Sequence, residues 1–84
     1  MRTLTDPEHL RAKQVRMVHA EARADAAHQR ALEAGREAAA SPWPHIAEFR
    51  LREQSAHLRA ERLHRAAADL QRAHIVEEEA AFGA

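Results

Sequence analysis

The 84-residue chain has no cysteine, no tyrosine, only two glycines and only three aromatic residues. Without cysteine there are no disulfides, no thiolate metal ligands and no cysteine nucleophile. With glycine confined to Gly35 and Gly83, no glycine-rich loop is available to cradle a phosphate. Scarce aromatics argue against a β-sandwich and remove the stacking platforms that single-stranded nucleic acids need. Net charge is also missing, because thirteen basic residues cancel thirteen acidic ones. No apolar run approaches the roughly 20 residues that cross a bilayer, and the N-terminus lacks the apolar stretch of a secretion signal. These absences set the expectation of a soluble, cytoplasmic, membrane-free protein.

What is present is alanine, 21 residues of it, in a chain rich in other strong helix formers. The one interruption is Ser41-Pro42-Trp43-Pro44 at mid-chain. Each proline pushes the residue before it out of the α region, and Pro44 suits the first turn of a new helix. Thr5 and Glu8 spell a capping box ahead of the first apolar repeats. The expected fold class is therefore all-α: a two-helix antiparallel hairpin, coiled-coil-like, forming a single domain over residues 1–84. Its first helix is expected over about 6–40, the turn over 41–44 and the second helix over about 44–81.

Heptad spacing sets the expected seam. On the first arm it runs through Leu10, Lys13, Met17, Ala20, Ala24, Ala27, Ala31, Ala34 and Ala38. On the second it runs through Ile46, Phe49, Glu53, Ala56, Ala60, Leu63, Ala67, Leu70 and His74. So few large seam residues give a thin rod little interior, which predicts a partner. The residues expected outside the seam and free to meet that partner are Val15, Val18, Ile75 and Val76 toward the open end, and Leu32, Leu51 and Leu58 nearer the turn. Trp43, held between two prolines, is a further anchor candidate. Dimerisation into a four-helix bundle is the expected completion, with docking on a larger protein as the other route.

Folding about position 43 also predicts what meets along each edge. Glu21, Asp25 and His28 share i, i+4, i+7 spacing with His57, Glu61 and His64, and pairing about the turn sets the two triplets opposite each other. Three imidazoles and three carboxylates at one level form a candidate site for iron or zinc. Glu61 and His64 also resemble the Glu-x-x-His element of ferritin-like di-iron bundles, which implies a metal-binding half-bundle as the alternative function. The opposite edge gathers Arg16, Arg23 and Arg30 with Arg52, Arg59 and Arg62, a candidate anion site in which Arg30 is expected near Arg59. Acidic residues such as Glu33, Glu37, Glu48 and Asp69 dilute that stripe, which argues against nucleic acid. No nucleophile, base and orienting group are set together, so the leading expectation is a non-enzymatic interaction module acting as adaptor, inhibitor or assembly factor.

Overall fold

The computed structural model describes residues 7–83; the capping-box threonine at position 5 lies outside them. Two helices account for nearly all of this: α1, Pro7–Ala40, and α2, Pro44–Gly83. They pack against each other as a hairpin measuring 64 × 16 × 14 Å. At about 1.5 Å per residue, the 40 residues of α2 span the rod's whole length. The helix also carries on through Glu77, Glu78 and Glu79 to Gly83, two residues beyond the end expected from the sequence.

The turn is built from three residues, Ser41, Pro42 and Trp43. The Ser41 amide donates to the carbonyl of Ala38 at 3.4 Å, closing the last turn of α1. The amide of Trp43 donates to Ser41 Oγ at 3.2 Å, and the carbonyl of Trp43 accepts the first α2 hydrogen bond from Ala47 at 2.9 Å. Trp43 thus serves as the N-cap residue through its backbone, and Pro44 stands at the first helical position, where its missing N–H costs nothing. The indole itself remains 62% exposed.

The α1 seam is the expected one. Ala20, Ala24, Ala27, Ala31, Ala34 and Ala38 are all buried, with Ala24 at 0% and Ala31 at 1% exposure, and Leu10, Lys13 and Met17 are half-buried at the open end. A flat methyl surface of this kind lets a second helix lie very close.

The α2 seam differs by one residue from the expected series. The positions turned toward α1 are Ala47, Arg50, Gln54, His57, Glu61, His64, Ala68, Gln71, Ile75 and Glu78, all buried or half-buried. Ile46, Phe49, Leu63 and Leu70 lie outside instead, Leu63 at 72% exposure. Both series obey alternating three- and four-residue steps, so spacing alone does not separate them. The apolar count favours the expected series, whose large residues the fold leaves exposed while Glu53, Ala60 and His74 stay half-buried. Physical fit favours the other: the gap opposite an alanine stripe is narrow, and His, Gln, Glu and Arg can lay a slim stem in it while their polar ends reach the open edges. Ile75 is consequently a seam residue at 6% exposure, which corrects its expected place on the outer face. The result is a core with no large side chain fully buried among the described residues, only the six α1 alanines, Ala68 and Ile75.

Candidate functional site

The two long edges of the hairpin carry different chemistry, and each follows from the register. Gly35 faces Gln54 so closely that a Cβ there would come 2.5 Å from the Gln54 amide nitrogen. His28 Nδ1 meets Glu61 Oε1 at 3.1 Å, and the Arg72 guanidinium donates to Glu21 at 2.6 Å. Each of these partners lies one to two helical turns farther along α2 than folding about position 43 implies. Asp25 shows the same displacement, accepting from Arg65 at 3.4 Å rather than facing Glu61.

On the first edge these contacts join into a chain. Arg65 bridges Asp25 and Glu61, donating to the latter at 2.9 Å, while Glu61 also holds His28. The Arg65 hydrogen bond, reinforced by that from His28, keeps the Glu61 carboxyl below its ordinary value of 4.5, against an opposing push from partial desolvation. Arg72 adds Asp69 on its own helix at 3.1 Å. Near the open end Glu78 takes Lys13 as its partner across the seam, with His9 at 3.9 Å, and the Lys13 hydrogen bond again lowers the carboxyl. Lys13 is therefore a partly buried cross-helix tie rather than the solvated side chain that the open end suggests.

The second edge is not neutralised in this way. An open groove of about 390 Å³ runs between the helices, lined by Arg23 and Arg30 of α1 and by His57 and His64 of α2 over a floor of Ala22, Ala26, Ala27 and Ala60. No acid lines it. None of the side chains of Arg23, Arg30, His57 and His64 makes a hydrogen bond or ion pair with a described residue, whereas every acid of the first edge is engaged. Toward the bend the charges mix again, because Arg30 and His57 also line a second groove with Glu33, Glu37, Arg50 and Glu53, in which Arg50 is held by Glu37 at 3.0 Å and by Glu53 at 2.7 Å.

The expected sites are redistributed accordingly. Of the six candidate metal ligands, Glu21, Asp25, His28 and Glu61 belong to the ion-paired edge, and His57 and His64 to the cationic groove. The one-residue rotation of α2 parts them, and no three His, Asp or Glu side chains are grouped as a metal ion requires among the described residues. Of the candidate anion ligands, Arg23 and Arg30 line the groove, but Arg59 does not meet Arg30; His57 and Ala60 stand in its place. Arg52 and Arg59 are exposed, and Arg62 lies with Arg65 and Asp69 beside the first edge. The two groove histidines were legible as seven-residue repeats, but their pairing with arginine rather than carboxylate depends on which of the two heptad series faces α1.

The outer faces hold the remaining apolar residues. Val15 and Val18 are exposed on α1 beside Arg11, Gln14 and His19. Leu32 of α1 and Leu51 and Leu58 of α2 are exposed toward the turn, and Val76 is 58% exposed near the open end. Ile46, Phe49, Leu63 and Leu70, the displaced seam residues, are exposed as two pairs with Glu53, Ala56 and Ala60 between them on the same series, and Leu63 stands three residues on from Ala60 of the groove floor. No helix is long and apolar enough to cross a membrane among the described residues. No family model, curated protein or solved structure matches the chain.

Proposed function

We propose that this chain is a non-enzymatic interaction module: a helical hairpin that contributes two helices to a larger helical assembly and acts as an adaptor, inhibitor or assembly factor. The observation that carries this reading is the inversion of burial. No large side chain is fully buried among the described residues, while eleven large hydrophobics, from Val15 to Val76, are exposed. A seam of methyl groups positions two helices but removes little apolar area from water, and burial of that area is the dominant favourable contribution to folding. The missing stabilisation is available on the outside, where Ile46, Phe49, Leu63 and Leu70 follow the spacing of a second helix-packing seam. With α1 already on one side of α2, a helix received on this second row gives the arrangement of a bundle corner.

In its simplest form the assembly is a four-helix bundle of two copies, joined through the other outer face, where Leu32, Leu51 and Leu58 are exposed. Sedimentation equilibrium on the isolated chain, followed at several concentrations together with its helical signal, tests the reading. The expected result is a weakly folded monomer whose helicity and melting temperature rise with concentration or with an added partner helix. A monomer that melts cooperatively at one high temperature across the whole concentration range overturns the proposal.

A further inference from the structure

The edge that carries the cationic groove also borders the exposed side of α2 that holds Phe49 and Leu63, so a helix docked there meets both. The groove's charges are arranged in rungs. Arg30 and His57 flank one level, and Arg23 and His64 the next. Residues seven apart on a helix are separated by about 10.5 Å along its axis, so the two rungs repeat at that spacing. Alanines between them leave a smooth floor, on which an incoming helix can approach to about 8 Å between axes.

A helix of purely apolar character cannot be the occupant. Neither Arg23 nor Arg30 makes an ion pair with a described residue, and although Arg30 also borders Glu33, Glu37 and Glu53, covering the groove would bury the Arg23 guanidinium without compensation, which is strongly destabilising. A second copy docked through this same edge fails for the same reason, because it brings its own arginines and histidines against these, and no two acids of this chain are spaced seven residues apart. A polyanion such as duplex DNA is opposed by Glu33, Glu37 and Glu53, which adjoin the groove toward the turn. What fits is a helix whose carboxylates are confined to two positions.

We infer that this edge is a docking site for an acidic amphipathic helix of another polypeptide. Its glutamates or aspartates, seven residues apart, would pair with the Arg30–His57 and Arg23–His64 rungs, and its aliphatic residues would cover Phe49 and Leu63. This inference rests on the interaction-module reading and supplies its partner class: the carboxylates fix register and selectivity, and the apolar row supplies most of the buried area.

The test uses the full chain and a fluorescent synthetic helix of four heptads. The helix has leucines in the apolar positions and two glutamates seven residues apart beside them. Its control carries glutamine at those two sites. Anisotropy titration is expected to show saturable binding of the glutamate helix, weakened by added salt, and about tenfold or more weaker binding of the glutamine helix. The double variant Arg23→Gln/Arg30→Gln should lose the same factor, while Arg52→Gln/Arg62→Gln, away from the groove, keeps full affinity. Helicity by circular dichroism checks that the variants still fold, as expected where neither groove arginine has an ion-pair or hydrogen-bond partner among the described residues. Equal binding of both helices overturns the charge inference and leaves the module reading standing. Failure of both helices to bind, or tighter binding of a DNA duplex than of the glutamate helix, overturns the inference as well. The module reading itself stands or falls on the concentration dependence measured for the isolated chain.

Discussion

The two helices of the hairpin do different jobs at the seam they share. From Ala20 to Ala38, α1 presents the same residue at six successive levels, all buried. Along the same seam α2 presents a changing series of Gln54, His57, Glu61, His64, Ala68 and Gln71, of which only the alanine is buried outright. A uniform methyl surface fixes how far apart the helices stand but not where one sits along the other, because every level looks alike. The polar series supplies the missing information: Gln54 fits over Gly35, Glu61 holds His28, and Glu78 holds Lys13. Distance is thus encoded in one helix and register chiefly in the other.

Changing the spacing should have the largest effect. Ala31→Leu adds three carbons at a site 1% exposed, where overpacking typically costs about 1–3 kcal/mol. Thermal denaturation should show a fall in melting temperature of several degrees or more, at roughly 4–8 °C per kcal/mol for a domain of this size. If Ala31→Leu is neutral, α1 does not set the distance. Next comes Gly35→Ala, where mid-helix glycine sacrifices up to about 1 kcal/mol of helix propensity relative to alanine. The new methyl meets only the flexible end of Gln54, so a net gain in melting temperature is expected, smaller than the full propensity difference.

Register ties should contribute less, and through pH. Glu61 and Glu78 both have carboxyls lowered from 4.5 by their cationic partners. A group depressed in the folded state stabilises it fully above the unfolded value, and that contribution is lost as pH falls through the folded one. An acid titration of helicity should therefore show stability declining from about pH 4.5 downward. In Glu61→Gln the decline should be shallower and the neutral-pH stability slightly lower. An unchanged acid profile in that variant removes Glu61 from the register. The smallest effect is expected at Leu63→Ala, where the side chain is 72% exposed. Stability of the isolated chain should move by no more than about 0.5 kcal/mol, apart from any loss in helix–helix assembly measured by sedimentation.

Much of this organisation was legible in the sequence, and the reason for the exception is specific. The proline pair with Trp43 marks the bend and the start of α2, because proline geometry is local and tolerates little compromise. The α1 seam was legible to the residue, since only one three-four series on that arm is nearly all alanine. The α2 seam was not, because Ile46–Leu70 and Ala47–Glu78 run in parallel one residue apart, and reading a seam as the most apolar series assumes that the hairpin buries its best hydrophobics in itself. The fold reserves them for the outside. The one-residue rotation then carries through to the sites: it moves His57 and His64 from the carboxylates to the arginines, and Ile75 from the surface to the interior.

The alanine stripe also reverses the usual rule for how an interior tolerates change. In most proteins trimming a central side chain is the damaging step, because it leaves a void. Here the central positions are already close to the smallest available, so damage comes from enlargement. Shortening the bulky residues of the outer faces is harmless to the lone molecule and, in the proposed assembly, harmful only to its company. Selection acting on such a rod would hold α1 alanines for the hairpin's own sake, and hold leucine and phenylalanine on α2 for the sake of whatever lies against them.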